Sequence, residues 1–398
     1  MRKMICLLLL CLTACAHDAP TIDEPAIDVN AIASDLRVKY APDSRTDRLV
    51  LERRGNGLTG YTTSEEMLDG LNKAIAGRGL INNVRLLPDT AVGDRTVGII
   101  NVSVANLRSK SGHSQELATQ ALLGTPVQLL DLVDGWYLVR TPDRYLAWLE
   151  PGALVAMTLP EARSWLDGDL RLYVGDAGVV RSGPDQASPV VSDIVTGGIV
   201  EHLPSAPESR LTSVSLPDGT TGWLPESDLL WAPAWLKPRA VAPEELIAAA
   251  NAFAGRPYLW GGTSSKGMDC SGFTKMVYYL NGHVIPRDAS QQVHAGTEVE
   301  LTDDFANLAP GDLLFFGRFR EDGSEKITHT GIYLGDGRFI HAGADNGRIR
   351  TNSLVPERED FADHRLASLL RARRLAAGST GVTPVAQAFV ELVNGSEF

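Results

Sequence analysis

The stretch MDCSGF, residues 268–273, decides how this chain is read. Downstream of it Phe273, Met276, Val277 and Leu280 recur at helical spacing, and Asn281-Gly282 supplies a stop. Cys270 therefore falls at the amino end of a helix with a buried apolar stripe. Unpaired backbone N–H groups and the helix dipole there are expected to favour the thiolate, the form that attacks carbonyl carbon. An inert core cysteine belongs on the stripe in mid-helix instead. Asp269 and Ser271, on either side of the thiol, can cap the helix.

A thiol nucleophile needs a base. ITHTGIYLG (327–335) alternates as a strand, GDG (335–337) is a turn signal, and RFIHA (338–342) returns as a second strand. Loop length decides the chemistry. A three-residue loop over Gly335, Asp336 and Gly337 sets Leu334 against Arg338 and His341 opposite Gly331, on the sheet face of His329. A two-residue loop sends the imidazoles to opposite faces. In the first register the histidines are diagonal neighbours, roughly 7 to 8 Å apart at Cα. Cys270 is then the nucleophile, His329 the general base and His341 the group that orients it. A Cys/His/His zinc site uses the same residue types, but no CxxC or HxxxH spacing supports one. No metal or organic cofactor is called for. The other six histidines (His17, His113, His202, His283, His294 and His364) read as structural.

The rest of the chain says where such chemistry takes place. Arg2 and Lys3 precede the apolar run MICLLLLCL (4–12), too short to span a bilayer. Leu12-Thr13-Ala14-Cys15 resembles a bacterial lipoprotein box, which implies that Cys15 carries lipid; the alternative is a secretory leader cut near Ala14. Either reading exports the protein and, with lipid, holds it to an envelope membrane. Of four cysteines, Cys6 and Cys11 leave with the leader, so Cys270 is the one unacylated thiol. A net charge of -12 without a basic stripe disfavours nucleic acid. A peptide, glycan or small molecule fits better.

At 398 residues several domains are expected. Residues 1–15 read as leader and 16–30 as a polar tether. The segment 31–91, to which no chemistry is assigned, holds a helical stretch at 64–79 closed by Gly77 and Gly79. TPDRYLAWLEPGAL (141–154) and LPDGTTGWLPESDL (216–229) align without gaps, each with a Pro-Asp turn between short strands. They mark two all-β modules, 92–156 and 160–235, that resemble bacterial SH3-like domains. After a Pro-rich joint, 240–374 mixes helices and strands in an α+β layout, opening on a helix from Pro243 with Leu246, Ala249, Ala250 and Phe253 on one stripe. The tail, 375–398, holds a short amphipathic helix. Trp148, Trp223 and Trp260 read as core.

Six blocks in order, RPYLWGG (256–262), DCSGF (269–273), IPRDASQQ (285–292), APGDLLFF (309–316), HTGIYLG (329–335) and FIHA (339–342), resemble the NlpC family of bacterial cell-wall cysteine peptidases. The resemblance implies a papain-like core behind two SH3-like domains. It further implies a γ-D-glutamyl-L-diamino-acid endopeptidase acting on peptidoglycan stem peptides with a free N-terminal L-Ala, through a thioester. By the same resemblance Tyr258 serves the oxyanion, and Glu116 and Tyr145 of the first SH3-like domain hold the substrate amine. Asp269 and Ser271 face the amine and backbone, and Arg287, Asp288 and Ser290 meet the D-glutamate. Ala289 departs from the small polar residue usual after that aspartate, which leaves the donor there open. The rival functions are an amidase or acyltransferase on the same core, and a wall-binding protein with an inert core. The oligomeric state and the preferred diamino acid are not legible.

Overall fold

The computed structural model describes residues 28–204 and 210–394. Cys15 and the leader lie outside the described residues. The first unit starts inside the segment read as tether. Asp28 accepts the N–H groups of Asn30 and Ala31 and so caps a helix over Val29–Tyr40. Strands Leu49–Arg54 and Gly57–Thr62 form a hairpin, and the helix Glu65–Ile75, capped by Ser64, leads to Ile81–Leu86, which pairs parallel to the second strand. Met67, Leu71 and Ile75, at helical spacing, pack on Leu49, Leu58 and Val84 in a separate core. The segment without assigned chemistry is thus a folded α/β unit.

Two seven-stranded antiparallel sheets follow. The first runs Leu154–Met157, Val97–Ile100, Pro126–Val133, Trp136–Arg140, Leu146–Leu149, Val104–Arg108, Leu117–Leu122. The second runs Leu229–Trp231, Leu170–Tyr173, Ile199–Leu203, Leu211–Ser215, Thr221–Pro225, Ala177–Arg181, Val190–Val195. Matched strand for strand, the orders are the same. The Pro142-Asp143 and Pro217-Asp218 turns join equivalent strands, and Trp148 and Trp223 pair with equivalent arginines, Arg108 and Arg181.

The last unit carries an antiparallel sheet in the order Thr297–Val299, Leu369–Arg374, Leu313–Phe319, Glu325–Gly335, Arg338–Gly343, Arg348–Ser353. Against it lies the helix Cys270–Leu280, buried almost all round rather than along one stripe. Phe273, Met276 and Val277 share a core with Phe253, Phe315, Ile332 and Ile340. Pro243 opens the helix Pro243–Ala252, which buries Leu246 and Ala250 beside them.

The tail is part of this core. Strand Thr383–Pro384 pairs with His283–Val284 just after the nucleophile helix. The following helix, Val385–Asn394, buries Val385, Ala388, Phe389 and Val393. Phe389 meets Trp235 edge-on, and the Trp235 indole N–H donates to the Tyr279 carbonyl at 2.7 Å. Phe389→Ala is expected to destabilise the protein by roughly 3–5 kcal/mol in equilibrium denaturation. A loss under about 1 kcal/mol would mean that the tail merely covers a core complete without it.

Candidate active site

The nucleophile's position is set by its neighbour. The Asp269 carboxylate caps the helix by accepting Gly272 N–H through Oδ1 at 2.7 Å, and it holds the Gly261 N–H through Oδ2 at 3.0 Å. Gly272 has to be glycine, because a Cβ there would lie 2.0 Å from the Gly262 carbonyl oxygen. The Arg287 guanidinium grips Asp269 bidentately at 3.0 and 2.6 Å, donates to Ser271 Oγ at 3.0 Å, and reaches Thr119 Oγ1 of the first all-β unit at 2.9 Å. With four of its five N–H groups engaged there and 1% of its surface exposed, Arg287 is a strut between units and does not line the groove beside Cys270, where the family resemblance set it against the D-glutamate.

The histidines meet by a route the two loop alternatives did not include. Gly335 pairs with Arg338, so the loop has two residues, Asp336 and Gly337, with φ of 51° and 71°. Leu334 is then bulged out: Tyr333 pairs with Phe339 and Ile332 with Ile340, which brings His341 back opposite Gly331. A two-residue loop followed by a one-residue bulge restores the register of a three-residue loop. Gly331 makes room, since a Cβ on it would lie 3.0 Å from the His341 Cβ. His329 Nε2 and His341 Nδ1 are 2.7 Å apart, with the rings at 89°.

A third group, unread in the sequence, completes the chain. Asn352 Nδ2 donates to the Asp360 carbonyl at 2.9 Å, which turns Oδ1 toward His341 Nε2 at 3.1 Å. An amide oxygen only accepts, so His341 carries its proton on Nε2 and accepts through Nδ1. His329 must then donate from Nε2, and its Nδ1 lone pair is left as the free basic position. All three side chains are buried.

Electrostatics keep the parts neutral at rest. Burial, with the Asp269 charge second, pushes the Cys270 thiol up to about 12, against hydrogen bonds from the Thr330 and Ser271 N–H groups. Desolvation thus opposes the helix terminus, which the sequence reading expected to favour the thiolate. Burial also holds His329 well below the ordinary imidazole value, helped by His341, and draws His341 down to about 4. The Thr330 N–H at the sulfur puts Cys270 against the strand residue next to His329. Burial, with the Asp269 charge nearby, keeps the Tyr258 hydroxyl protonated.

Cys270 opens onto a groove of about 570 Å³. Tyr258, Asp269 and Ser271 line it beside the thiol, Asp288 and Ser290 line one wall, and Glu116 and Tyr145 come from the first all-β unit. Trp260, read as core, stands 64% exposed in the groove, its indole N–H donating to Glu116 Oε1 at 2.8 Å. Arg45, from the first unit, also lines the groove. Nothing in the local pattern around Arg45 or Asn352 marks either one, whereas Trp260 stands inside a quoted block and its exposure alone was misjudged.

A thiol at a helix start, backed by a buried imidazole pair on an adjacent antiparallel sheet, defines a papain-like cysteine hydrolase. Residues 255–365 match the NlpC/P60 family and 107–154 the bacterial dipeptidyl-peptidase SH3 domain. The chain thus carries an NlpC/P60 cysteine-peptidase domain behind an SH3-like domain of dipeptidyl-peptidase type. It is 29% identical over 239 residues to a γ-D-glutamyl-L-lysine dipeptidyl-peptidase of Bacillus cereus, spanning 58% of this chain and 68% of that one. It is 29% identical over 283 residues to dipeptidyl-peptidase 6 of Lysinibacillus sphaericus, spanning 66% and 95%. The crystal structure of an NlpC/P60 family protein from Bacillus cereus shares the fold, with a TM-score of 0.59 at 24% identity, over 70% of this chain and 99% of that one.

Two outcomes test the relay. Asn352→Ala should lower kcat on the order of 10- to 100-fold with little change in KM, because the His329 tautomer is no longer imposed; an unchanged kcat would remove Asn352 from the relay. His329 works as a base only when unprotonated, and its pKa is depressed. The acid limb of kcat/KM should therefore lie below the ordinary imidazole value of about 6.5, and a limb at or above that value would contradict the buried neutral pair.

Proposed function

We propose that the protein hydrolyses the γ-D-glutamyl-L-diamino-acid bond of peptidoglycan stem peptides that carry a free N-terminal L-alanine. The observation that carries this reading is the placement of Glu116 and Tyr145, from the first SH3-like domain, in the same groove as Cys270. A carboxylate and an oriented hydroxyl suit a cationic amine. The Trp260 N–H engages one Glu116 oxygen and leaves the other open to that amine. The names of the Bacillus and Lysinibacillus relatives support the same substrate class. Export through the leader read at residues 1–15 would bring the enzyme to the cell wall.

In this reading His329 Nδ1 takes the thiol proton as the sulfur attacks the γ-glutamyl carbonyl. The developing oxyanion is met by the Tyr258 hydroxyl and the Cys270 N–H. Protonated His329 gives its proton to the leaving amine, and a thioester forms. A water deprotonated by His329 then attacks the thioester, releasing L-Ala-γ-D-Glu and restoring the thiol. Neutral starting groups suit this sequence, since charge develops only as the carbonyl is attacked.

The reading also makes the SH3-like domain a filter. An N-acylated alanine offers no cation to Glu116 and adds bulk beside it. N-acetylation of L-Ala-γ-D-Glu-L-Lys should lower kcat/KM by about 10- to 100-fold, as expected for one lost charge-assisted hydrogen bond. Equal rates for the two peptides would rule the filter out.

A further inference from the structure

The segment 42–48 of the N-terminal unit, to which the sequence assigns no chemistry, reaches the catalytic groove. It is tied to the strand beginning at Leu146: Leu146 N–H donates to the Arg45 carbonyl at 2.7 Å, and Arg48 Nη2 donates to the Leu146 carbonyl at 2.8 Å. Tyr145, the residue just before, lines the groove. The Arg45 side chain is held from behind by Asp43, through Nε at 2.8 Å and Nη2 at 2.7 Å. Asp43 in turn accepts Gln291 Nε2 at 2.7 Å. At the front, Arg45 Nη1 donates to Asp288 Oδ2 at 2.7 Å and to Ser290 Oγ at 2.9 Å.

The two carboxylates around Arg45 are placed differently. Asp43 lines the cleft behind the segment and not the groove, whereas Arg45, Asp288 and Ser290 all line the groove. A substrate therefore meets Arg45 paired with Asp288. Without the Arg45 guanidinium, Asp288 keeps only Arg287 as a counter-charge, 3.9 Å from its other oxygen, and repels a second carboxylate; with Arg45 the wall is neutralised by a charge held 2.7 Å from Oδ2. Arg287, the other guanidinium near this wall, is buried on Asp269 and does not line the groove.

We propose that Arg45 is a specificity residue that makes this end of the groove accept a carboxylate-bearing residue over the corresponding carboxamide. The inference rests on the γ-D-glutamyl reading above, in which the carboxylate concerned is the free α-carboxylate of the D-glutamyl residue. An N-terminal unit with no catalytic group of its own thereby shapes the substrate range of the peptidase.

The test compares full-length wild type, Arg45→Gln and Arg45→Lys on L-Ala-γ-D-Glu-L-Lys and on the same peptide with the glutamyl α-carboxylate amidated. Wild type should favour the carboxylate peptide by about tenfold or more in kcat/KM, chiefly through KM. Arg45→Gln should abolish that preference by raising KM for the carboxylate peptide alone, and Arg45→Lys should restore part of it. The ratio is taken within one preparation of each variant, so a partly unfolded sample leaves it unchanged. If wild type cleaves both peptides and Arg45→Gln keeps the wild-type ratio, this inference fails while the peptidase reading stands. If wild type cleaves neither, both fail.

Discussion

The Asp269 carboxylate is the constraint on which the catalytic centre depends. It caps the nucleophile helix, pins the backbone at Gly261 and binds Arg287 through both oxygens. A buried ion pair costs desolvation that is offset only where geometry is good and the remaining donors and acceptors are filled. Here they are filled from three directions, and one of them, Thr119, belongs to another folding unit. The position of the thiol is consequently a property of the assembled chain and not of the peptidase domain alone. Gln120 reinforces the same junction by accepting Thr263 N–H at 2.9 Å.

Burial also governs the acid–base behaviour. The desolvation that raises the thiol lowers the imidazoles, so both changes favour the uncharged pair. A resting ion pair in such a site would lack the solvation that stabilises separated charge. The neutral arrangement still needs a defined tautomer, and the hydrogen bonds from Asp360 through Asn352 and His341 supply it. A rigid chain of donors and acceptors thus does for His329 what a carboxylate partner does elsewhere, without adding a negative charge beside the sulfur.

Groups from distant parts of the chain converge on this one site. The first SH3-like domain contributes Glu116 and Tyr145, the peptidase domain contributes the thiol and its relay, and the N-terminal unit contributes Arg45. The tail has a mechanical part, packing Phe389 against Trp235, which is hydrogen-bonded to the end of the nucleophile helix.

Features with local causes were legible in the sequence. A capping residue, an apolar period and a glycine stop are written within a dozen positions, which is why the helix start at Cys270 could be placed. The matching turns of the two SH3-like segments were legible for the same reason. The shared face of His329 and His341 was read through a three-residue loop, but the fold reaches it with a two-residue loop and a bulge at Leu334. That turn is held within the hairpin by the Gly337 N–H donating to the Tyr333 hydroxyl at 3.0 Å, and from outside it by the Leu354 N–H donating to the Gly337 carbonyl at 2.7 Å. Arg45 and the exposure of Trp260 were illegible because each acquires its role from a partner 245 or 144 positions away, and Asn352 because it meets His341 only through the pairing of Arg338–Gly343 with Arg348–Ser353, whose register no local pattern fixes. The desolvation of Cys270 was illegible on similar grounds. Helix position is local and can be read from the residues themselves, whereas desolvation depends on everything that packs around the sulfur, and only the folded chain decides that.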